Sequence, residues 1–351
     1  RDPYFTLSLF DELLHIPLLF VGNSISPGII KKQSRHVDIL PTLLNLINIK
    51  NHEKIDGQDL ISKIDKKSIQ YLHTMPYQKQ SNSDMIGIRT DKYKYFRFAR
   101  NLDENVHLYD LENDPFENTN IAKGNEKLIS EFETKISEIE KNEVSNDDEL
   151  SEEEIEYELK KMGYVWEIIM KNPNIIFFLI DGLRADQIYG ENKTSVTPNI
   201  DSLRKKGLYF TNAFSSVDGT ISSLRTIFHS NFPIKTGSRT KLTLEKNNLF
   251  DVLKENGYKI NGLVPDLKGF SEYTNKFENK EKTYPYWEYM EKMEEFYRNT
   301  SASITDVMIN FLEKKEEKPW FYYFHLMTLH PLKEYFASYK NEKNLLSQAI
   351  K

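Results

Sequence analysis

Asn174-Ile-Ile-Phe-Phe-Leu-Ile-Asp-Gly-Leu-Arg-Ala-Asp186 opens the stretch around which the chain is organised. Apolar residues run unbroken from Ile175 to Ile180. A run that short, β-branched and aromatic, reads as a strand buried on both faces of a helix-covered sheet. Asp181 ends it, and in open α/β sheets ligands bind at the carboxyl ends of the strands. Further on comes Val217-Asp-Gly-Thr-Ile-Ser-Ser-Leu-Arg-Thr-Ile-Phe-His-Ser-Asn-Phe-Pro233. Thr220 follows a glycine and precedes a helix-compatible run. A hydroxyl there lies beside backbone N–H groups and suits an anionic substrate. The residues leave a second reading open: Thr220 only caps the helix, and Ser223 completes local hydrogen bonds.

Working outward, the composition is that of a folded chain: 351 residues, 39% hydrophobic and 28% charged. This length can bury one large core or two smaller ones. The net charge of −6 gives no reason to expect nucleic-acid binding. With no cysteine there is neither disulfide nor thiolate chemistry. No apolar run approaches membrane-spanning length. The chain starts Arg-Asp-Pro, without an initiator Met or a signal peptide, and reads as an excerpt of something longer. Nothing in it indicates a compartment.

Before Asn174 the pattern changes repeatedly. Ile16–Val21 reads as another buried strand, and Val37, Leu40, Leu43, Leu44 and Ile47 recur at helical spacing. Residues Ile55–Leu60 make a turn. Met85–Phe98 reads as a hairpin around the polar Thr90–Lys92, and His107–Asn118 continues a small antiparallel sheet. The acidic stretch Glu143–Glu158 reads as a solvated, partly helical linker. After the Thr220 segment, the stretch Leu249–Lys259 reads as an amphipathic helix that ends at Gly257, a good residue for the position just past a helix. Lys318–Pro331 reads as a buried strand that delivers His330 at its end.

Several of these stretches together resemble the sulfatase family of the alkaline phosphatase superfamily. Ile180-Asp-Gly-Leu-Arg-Ala-Asp186, Thr197-Pro-Asn-Ile-Asp-Ser-Leu203 and Gly207-Leu-Tyr-Phe-Thr-Asn-Ala-Phe-Ser215 are similar to the opening of its domain. Residues 1–165, through Gly163-Tyr164, are similar to its closing third. The order is therefore inverted: a C-terminal portion over 1–142, an acidic tail and linker over 143–170, and an incomplete N-terminal portion over 171–351. A permuted domain and an excerpt from a tandem of two units both fit, the tandem better because a middle portion is missing. The resemblance implies an α/β fold, with a central, mostly parallel sheet flanked by helices and a small antiparallel C-terminal-type subdomain.

It also implies chemistry. Asp181 matches a metal ligand, although Gly182 stands where formylglycine sulfatases usually carry a second Asp. Asp186 fits a turn-stabilising role better than a ligand role. The Asp-His or Asp-Asn pair that completes the family's metal site is absent from the chain. The formylglycine position is held by Thr220, which cannot be oxidised to formylglycine. Ser222 takes the proline position, Leu224 takes the arginine position, and Arg225 comes one residue late. Threonine at this place resembles the phosphoethanolamine and phosphoglycerol transferases. There a divalent metal lowers the hydroxyl pKa and the alkoxide attacks phosphorus.

The implied site is thus Thr220 and His330 as catalytic groups, with Asp181 and Thr220 holding a divalent ion (Ca, Mg, Mn or Zn). Lys268 is a weak stand-in for the family's lysine. His325, in mid-strand, reads as a satisfied core histidine, and His15, His36, His107 and His229 receive no role. The implied substrate is a small-molecule, glycan or lipid-head-group ester of sulfate or phosphate. The alternative is a catalytically silent scaffold. Two structural expectations follow: Ile16–Val21 and Ile175–Ile180 share one sheet, and Asp181 and Thr220 converge at its edge.

Overall fold

The computed structural model describes residues 9–50, 55–61, 69–74, 84–141, 172–191, 193–233, 248–286, 304–314, 316 and 318–327. The acidic stretch Glu143–Glu158, the Gly163-Tyr164 ending and His330 lie outside the described residues. Among the described residues, eleven strands run in chain order: β1 (His15–Phe20), β2 (Gly28–Arg35), β3 (Gln70–His73), β4 (Met85–Arg89), β5 (Tyr93–Phe98), β6 (His107–Asp110), β7 (Ile175–Ile180), β8 (Leu208–Phe214), β9 (Lys259–Pro265), β10 (Thr283–Tyr284) and β11 (Trp320–Leu326). They form three sheets, ordered β1-β8-β2, β3-β4-β5-β6 and β10-β9-β11-β7. The chain divides into two compact units, Arg1–Ile169 with Arg204–Arg239, and Met170–Leu203 with Thr240–Lys351.

In the first unit, β8 comes from the later part of the chain and lies between two strands from the earlier part. It runs antiparallel to β1 and parallel to β2. Leu208 and Phe210, two apart on one face, and Ala213, beyond a register shift in the pairing, cluster with Ile25, Leu60 and Ile61, against the partly buried Ile16, Leu18 and Phe20. The antiparallel sheet follows its pattern. Met85–Arg89 and Tyr93–Phe98 pair as the expected hairpin, and the amide of Thr90 donates to the Tyr93 carbonyl across the turn at 2.8 Å. The helix Glu126–Glu140 lays Phe132, Ile136 and Ile139 on this sheet, where they join Tyr71, Ile88 and Tyr95.

A buried ionic cluster also sits in this unit. Lys94, whose side chain is fully buried, pairs with Asp11 and Glu117 at 2.7 Å each. The Arg89 guanidinium also binds Asp11 and lies 3.5 Å from the Phe214 ring centroid, so β8 is held from this side too.

The second unit holds an all-parallel sheet. β11 sits in its middle, paired with β9 on one side and β7 on the other. Leu263, Trp320, Tyr322 and Phe324 pack with Ile304 and Phe311. Phe250 meets Phe321 and Tyr323, and Tyr273 meets Tyr323, edge-on or tilted, while Phe277 lies edge-on to Phe250. A Cβ at Gly262 would overlap the Phe277 ring, which explains glycine within β9. The Leu249–Glu255 helix has the Asn248 side chain as its N-cap, accepting from the amides of Phe250 and Asp251. Gly257 has φ 85° beyond its end, as the sequence predicts.

Two expectations are corrected. β1 and β7 do not share a sheet: β1 belongs to β1-β8-β2 and β7 to β10-β9-β11-β7. Nor is β7 buried on both faces. Among the described residues it is the last strand of its sheet, and Ile176 and Phe178 are 39% and 48% exposed. An apolar run specifies a strand but names neither its neighbour nor its rank in the sheet.

Candidate functional site

Thr220 begins a ten-residue helix, Thr220–His229. The N-cap is Gly219, in extended backbone with φ −131°, so Thr220 is the first helical residue and not the cap. The capping reading of Thr220 is therefore corrected: the position that would use its side chain as a cap is taken by a residue without one. Ser223 is engaged elsewhere, its hydroxyl 3.3 Å from that of Ser215, which in turn donates to the Val217 carbonyl at 2.6 Å.

The helix is held by the earlier part of the chain at both ends. Upstream, the His73 amide donates to the Ser216 carbonyl at 2.9 Å and the Gln70 amide group to the Ser216 hydroxyl at 2.6 Å. The Ser215 amide donates to the Leu14 carbonyl at 2.8 Å. Downstream, Ser230 ends the helix in the left-handed region, φ 54°, and its hydroxyl donates to the Val37 carbonyl. The Asp56 amide donates to the Ser230 carbonyl, and the Phe232 amide to the Asp56 carboxylate, each at 2.8 Å. Gly57 is required here, because a Cβ would overlap the Val37 carbonyl oxygen and the Ser230 hydroxyl.

Leu224, in the position of the family's arginine, is fully buried with Ile227 and Phe228. Arg225 is 3% exposed. At roughly 100° per residue, five residues put Arg225 about 140° around the helix from Thr220, so it does not replace the missing side chain. His229 is buried and its Nδ1 faces the Arg225 carbonyl at 3.2 Å. His36, wholly buried beside this region, is held neutral by burial, its pKa pushed down to about 3. His15 stacks on Phe214, and His107 stacks on Phe96.

Asp181 lies in the second unit, immediately after β7. Its amide donates to the Leu326 carbonyl at 2.8 Å, continuing the parallel ladder by one residue. Gly182 has φ 79°, a conformation costly for any side-chain-bearing residue. This accounts for glycine where an aspartate is usual in the family. The Asp181 carboxylate is 16% exposed, and its Oδ2 lies 3.6 Å from Nε2 of the fully buried His325. Its charge adds to burial in raising the phenol pKa values of Tyr284, Tyr286 and Tyr323. Asp186 makes an exposed ion pair with Arg184, in line with its turn-stabilising role. Lys268 is exposed at the start of a short 3-10 turn.

The reading of His325 as satisfied is corrected. Its Nδ1 meets the Tyr323 hydroxyl at 2.7 Å, but its Nε2 is buried without a hydrogen-bond partner and faces Asp181. The signal lay in two strands that end level with each other, and it needs the register Leu326 to Ile180 to be seen. Thr220 belongs to the first unit and Asp181 to the second, and each is placed within its own.

A carboxylate at a strand end, partly exposed and backed by a buried imidazole, fits one corner of a divalent-cation site. Among the described residues, no group of three His, Cys, Asp or Glu side chains could hold an ion by itself. Nor is any described helix long and apolar enough to cross a membrane.

The family model described as Sulfatase matches residues 173–348, half of the chain, and the one described as N-sulphoglucosamine sulphohydrolase, C-terminal, matches residues 5–142. The chain belongs to the sulfatase family, with the C-terminal portion standing before the sulfatase domain. A choline-sulfatase from Rhizobium meliloti is 29% identical over 127 residues, 35% of this chain and 24% of that protein. Arylsulfatase K from Bos taurus is 25% identical over 147 residues, 39% of this chain and 27% of that protein. A solved structure in complex with its substrate D-glucosamine-2-N,6-O-disulfate is 26% identical, with TM-score 0.26, over 31% of this chain and 24% of that one. The chain spans about a quarter of the length of the curated relatives it matches.

Proposed function

We propose that the protein is a metal-dependent ester hydrolase or transferase of sulfatase descent in which Thr220 is the nucleophile and phosphate esters are preferred. The observation that supports this most is the character of the Thr220 helix. A hydroxyl stands at its first residue, a buried leucine fills the place of the arginine, and the chain has no cysteine to oxidise. In this reading residues 1–142 and 171–351 are the two portions of a sulfatase-like unit, joined through 143–170.

Thr220 Oγ1 attacks phosphorus in line as its proton passes to water, and the bond from phosphorus to the leaving ester oxygen breaks. His330 gives that oxygen a proton. The product is phosphothreonine, which is resolved by water in hydrolysis or by an acceptor alcohol in transfer. Asp181 and Thr220 would hold the divalent ion (Ca, Mg, Mn or Zn). When bound, such an ion acidifies the hydroxyl and neutralises charge on the non-bridging oxygens. The helix start adds backbone N–H groups that favour an anionic group. The substrate class is a small-molecule, glycan or lipid-head-group ester.

The test is a rate comparison on matched nitrophenyl phosphodiester and sulfate substrates, with Mn²⁺, Mg²⁺, Ca²⁺ or Zn²⁺. Faster phosphodiester cleavage is expected. Preferential sulfate release would return the protein to ordinary sulfatase chemistry. No turnover of either ester with any of the ions would favour the silent scaffold, which the absent Asp-His pair makes the competing reading.

A further inference from the structure

We infer that His325 is a positioning residue: its Nε2–H, fixed by Tyr323, holds one oxygen of the Asp181 carboxylate and thereby sets that carboxylate for its ligand. This rests on the proposed role of Asp181 as a metal ligand.

Four observations carry it. His325 is fully buried on β11, the middle strand of the parallel sheet, in register with Leu179 two residues before Asp181. The strand end is fixed in place, since the Asp181 amide donates to the Leu326 carbonyl and the Tyr284 hydroxyl donates to the His325 carbonyl at 2.8 Å. Phe270 covers the imidazole edge-on, with ring centroids 4.7 Å apart, so the ring has little room to turn. Finally, the two ring nitrogens are in different states. Nδ1 is 2.7 Å from the Tyr323 hydroxyl, while Nε2 has no hydrogen-bond partner and points at Asp181 Oδ2 across 3.6 Å.

The tautomer follows from the partners. Nδ1 meets the buried Tyr323 hydroxyl, which can donate or accept, while Nε2 faces a carboxylate oxygen, which is an acceptor. The ring proton that answers this arrangement sits on Nε2, facing the carboxylate, with Nδ1 accepting from Tyr323. A separation of 3.6 Å is longer than a hydrogen bond. Contacts of this kind tighten once the ligand is bound. Carboxylate ligands are themselves oriented by hydrogen bonds from a surrounding shell, and loss of such a partner typically weakens metal affinity by about 10–100-fold.

The experiment has two arms on the full chain. The first is ¹⁵N-imidazole NMR of the protein without metal, which should show His325 as the Nε2–H tautomer. An Nδ1–H tautomer would overturn the inference. The second is Mn²⁺ calorimetry on His325→Phe and His325→Gln, with thermal melts alongside to show that both fold. Phenylalanine keeps a ring without the donor, and the affinity should fall by about 10–100-fold. Glutamine places an amide N–H near the Nε2 position and should recover most of that loss. Equal affinity of His325→Phe and wild type, or equal loss in both variants at unchanged melting temperature, would contradict positioning. If wild type binds no Mn²⁺, the metal role of Asp181 fails, and the tautomer alone still decides whether His325 faces it as a donor.

Discussion

The hydroxyl of Ser230 donates to the carbonyl of Val37, 193 residues earlier in the chain. This bond ties the end of the Thr220 helix to the segment that precedes the Ile39–Leu46 helix. One partner comes from the sulfatase-domain match and the other from the C-terminal match, so the two portions share a core.

Ser230→Ala should therefore destabilise the protein by about 1–3 kcal/mol, because the Val37 carbonyl loses its buried donor. Gly57→Ala should cost more, since the new methyl overlaps both partners of that bond. Urea unfolding followed by tryptophan fluorescence and far-UV circular dichroism would measure both. A smaller loss for Gly57→Ala than for Ser230→Ala would show that the two segments do not meet this closely.

Burial keeps His36 neutral, with its pKa lowered to about 3. Above about 6.5, the ordinary value, His36 is neutral whether folded or not, and it contributes no pH dependence. As pH falls from about 6.5 towards about 3, the unfolded state takes up a proton that the native state refuses, so stability drops. His36→Leu should flatten that part of the stability profile. A mutant whose profile matches wild type between those limits would show that another group carries the dependence.

Lys94 should be among the most costly side chains to remove. Burial pushes Asp11 up, but the charges and hydrogen bonds of Lys94 and Arg89 outweigh it and leave the Asp11 pKa below the usual carboxylate range. Lys94→Met leaves Asp11 and Glu117 facing each other in a buried place, at an expected cost of about 3–5 kcal/mol. The stability due to Asp11 is present above its unfolded pKa of about 3.9 and is lost as pH falls below it. Lys94→Met should shrink that acid limb, and an unchanged limb in chemical denaturation would refute the pairing.

Much of the local structure was legible in the sequence, because it is written in short-range chemistry. Gly257 closes its helix, Thr90–Lys92 turns the hairpin, and Ile175–Ile180 is a strand. What was not legible is pairing at long range. The insertion of β8 between β1 and β2 depends on which apolar strands meet across some two hundred residues, and alternation gives only their faces. The contact of His325 with Asp181 is of the same kind: both residues stand out in the sequence, but only the register of β11 on β7 brings them together.

Gly182 makes a sharp local prediction. With φ 79°, the residue after Asp181 sits where a side chain is disfavoured, so Gly182→Asp should cost about 1–2 kcal/mol. The same variant would supply the carboxylate usual in the family at this position. Its stability by urea titration should be lower than wild type, and an equal or higher midpoint would mean that the turn relaxes to accept the side chain.

The central claim is that Thr220 takes the phosphoryl group. The direct measurement is peptide mass spectrometry of full-length protein quenched during turnover of a nitrophenyl phosphodiester, beside Thr220→Ala. Ser222 is turned roughly 160° away from Thr220 around the helix, and Ser223, about 60° away on the same face, is engaged with Ser215, so neither should substitute. The account predicts a phosphate-containing adduct on Thr220 and loss of turnover in Thr220→Ala. Undiminished turnover in Thr220→Ala, or an adduct on another residue, would contradict it.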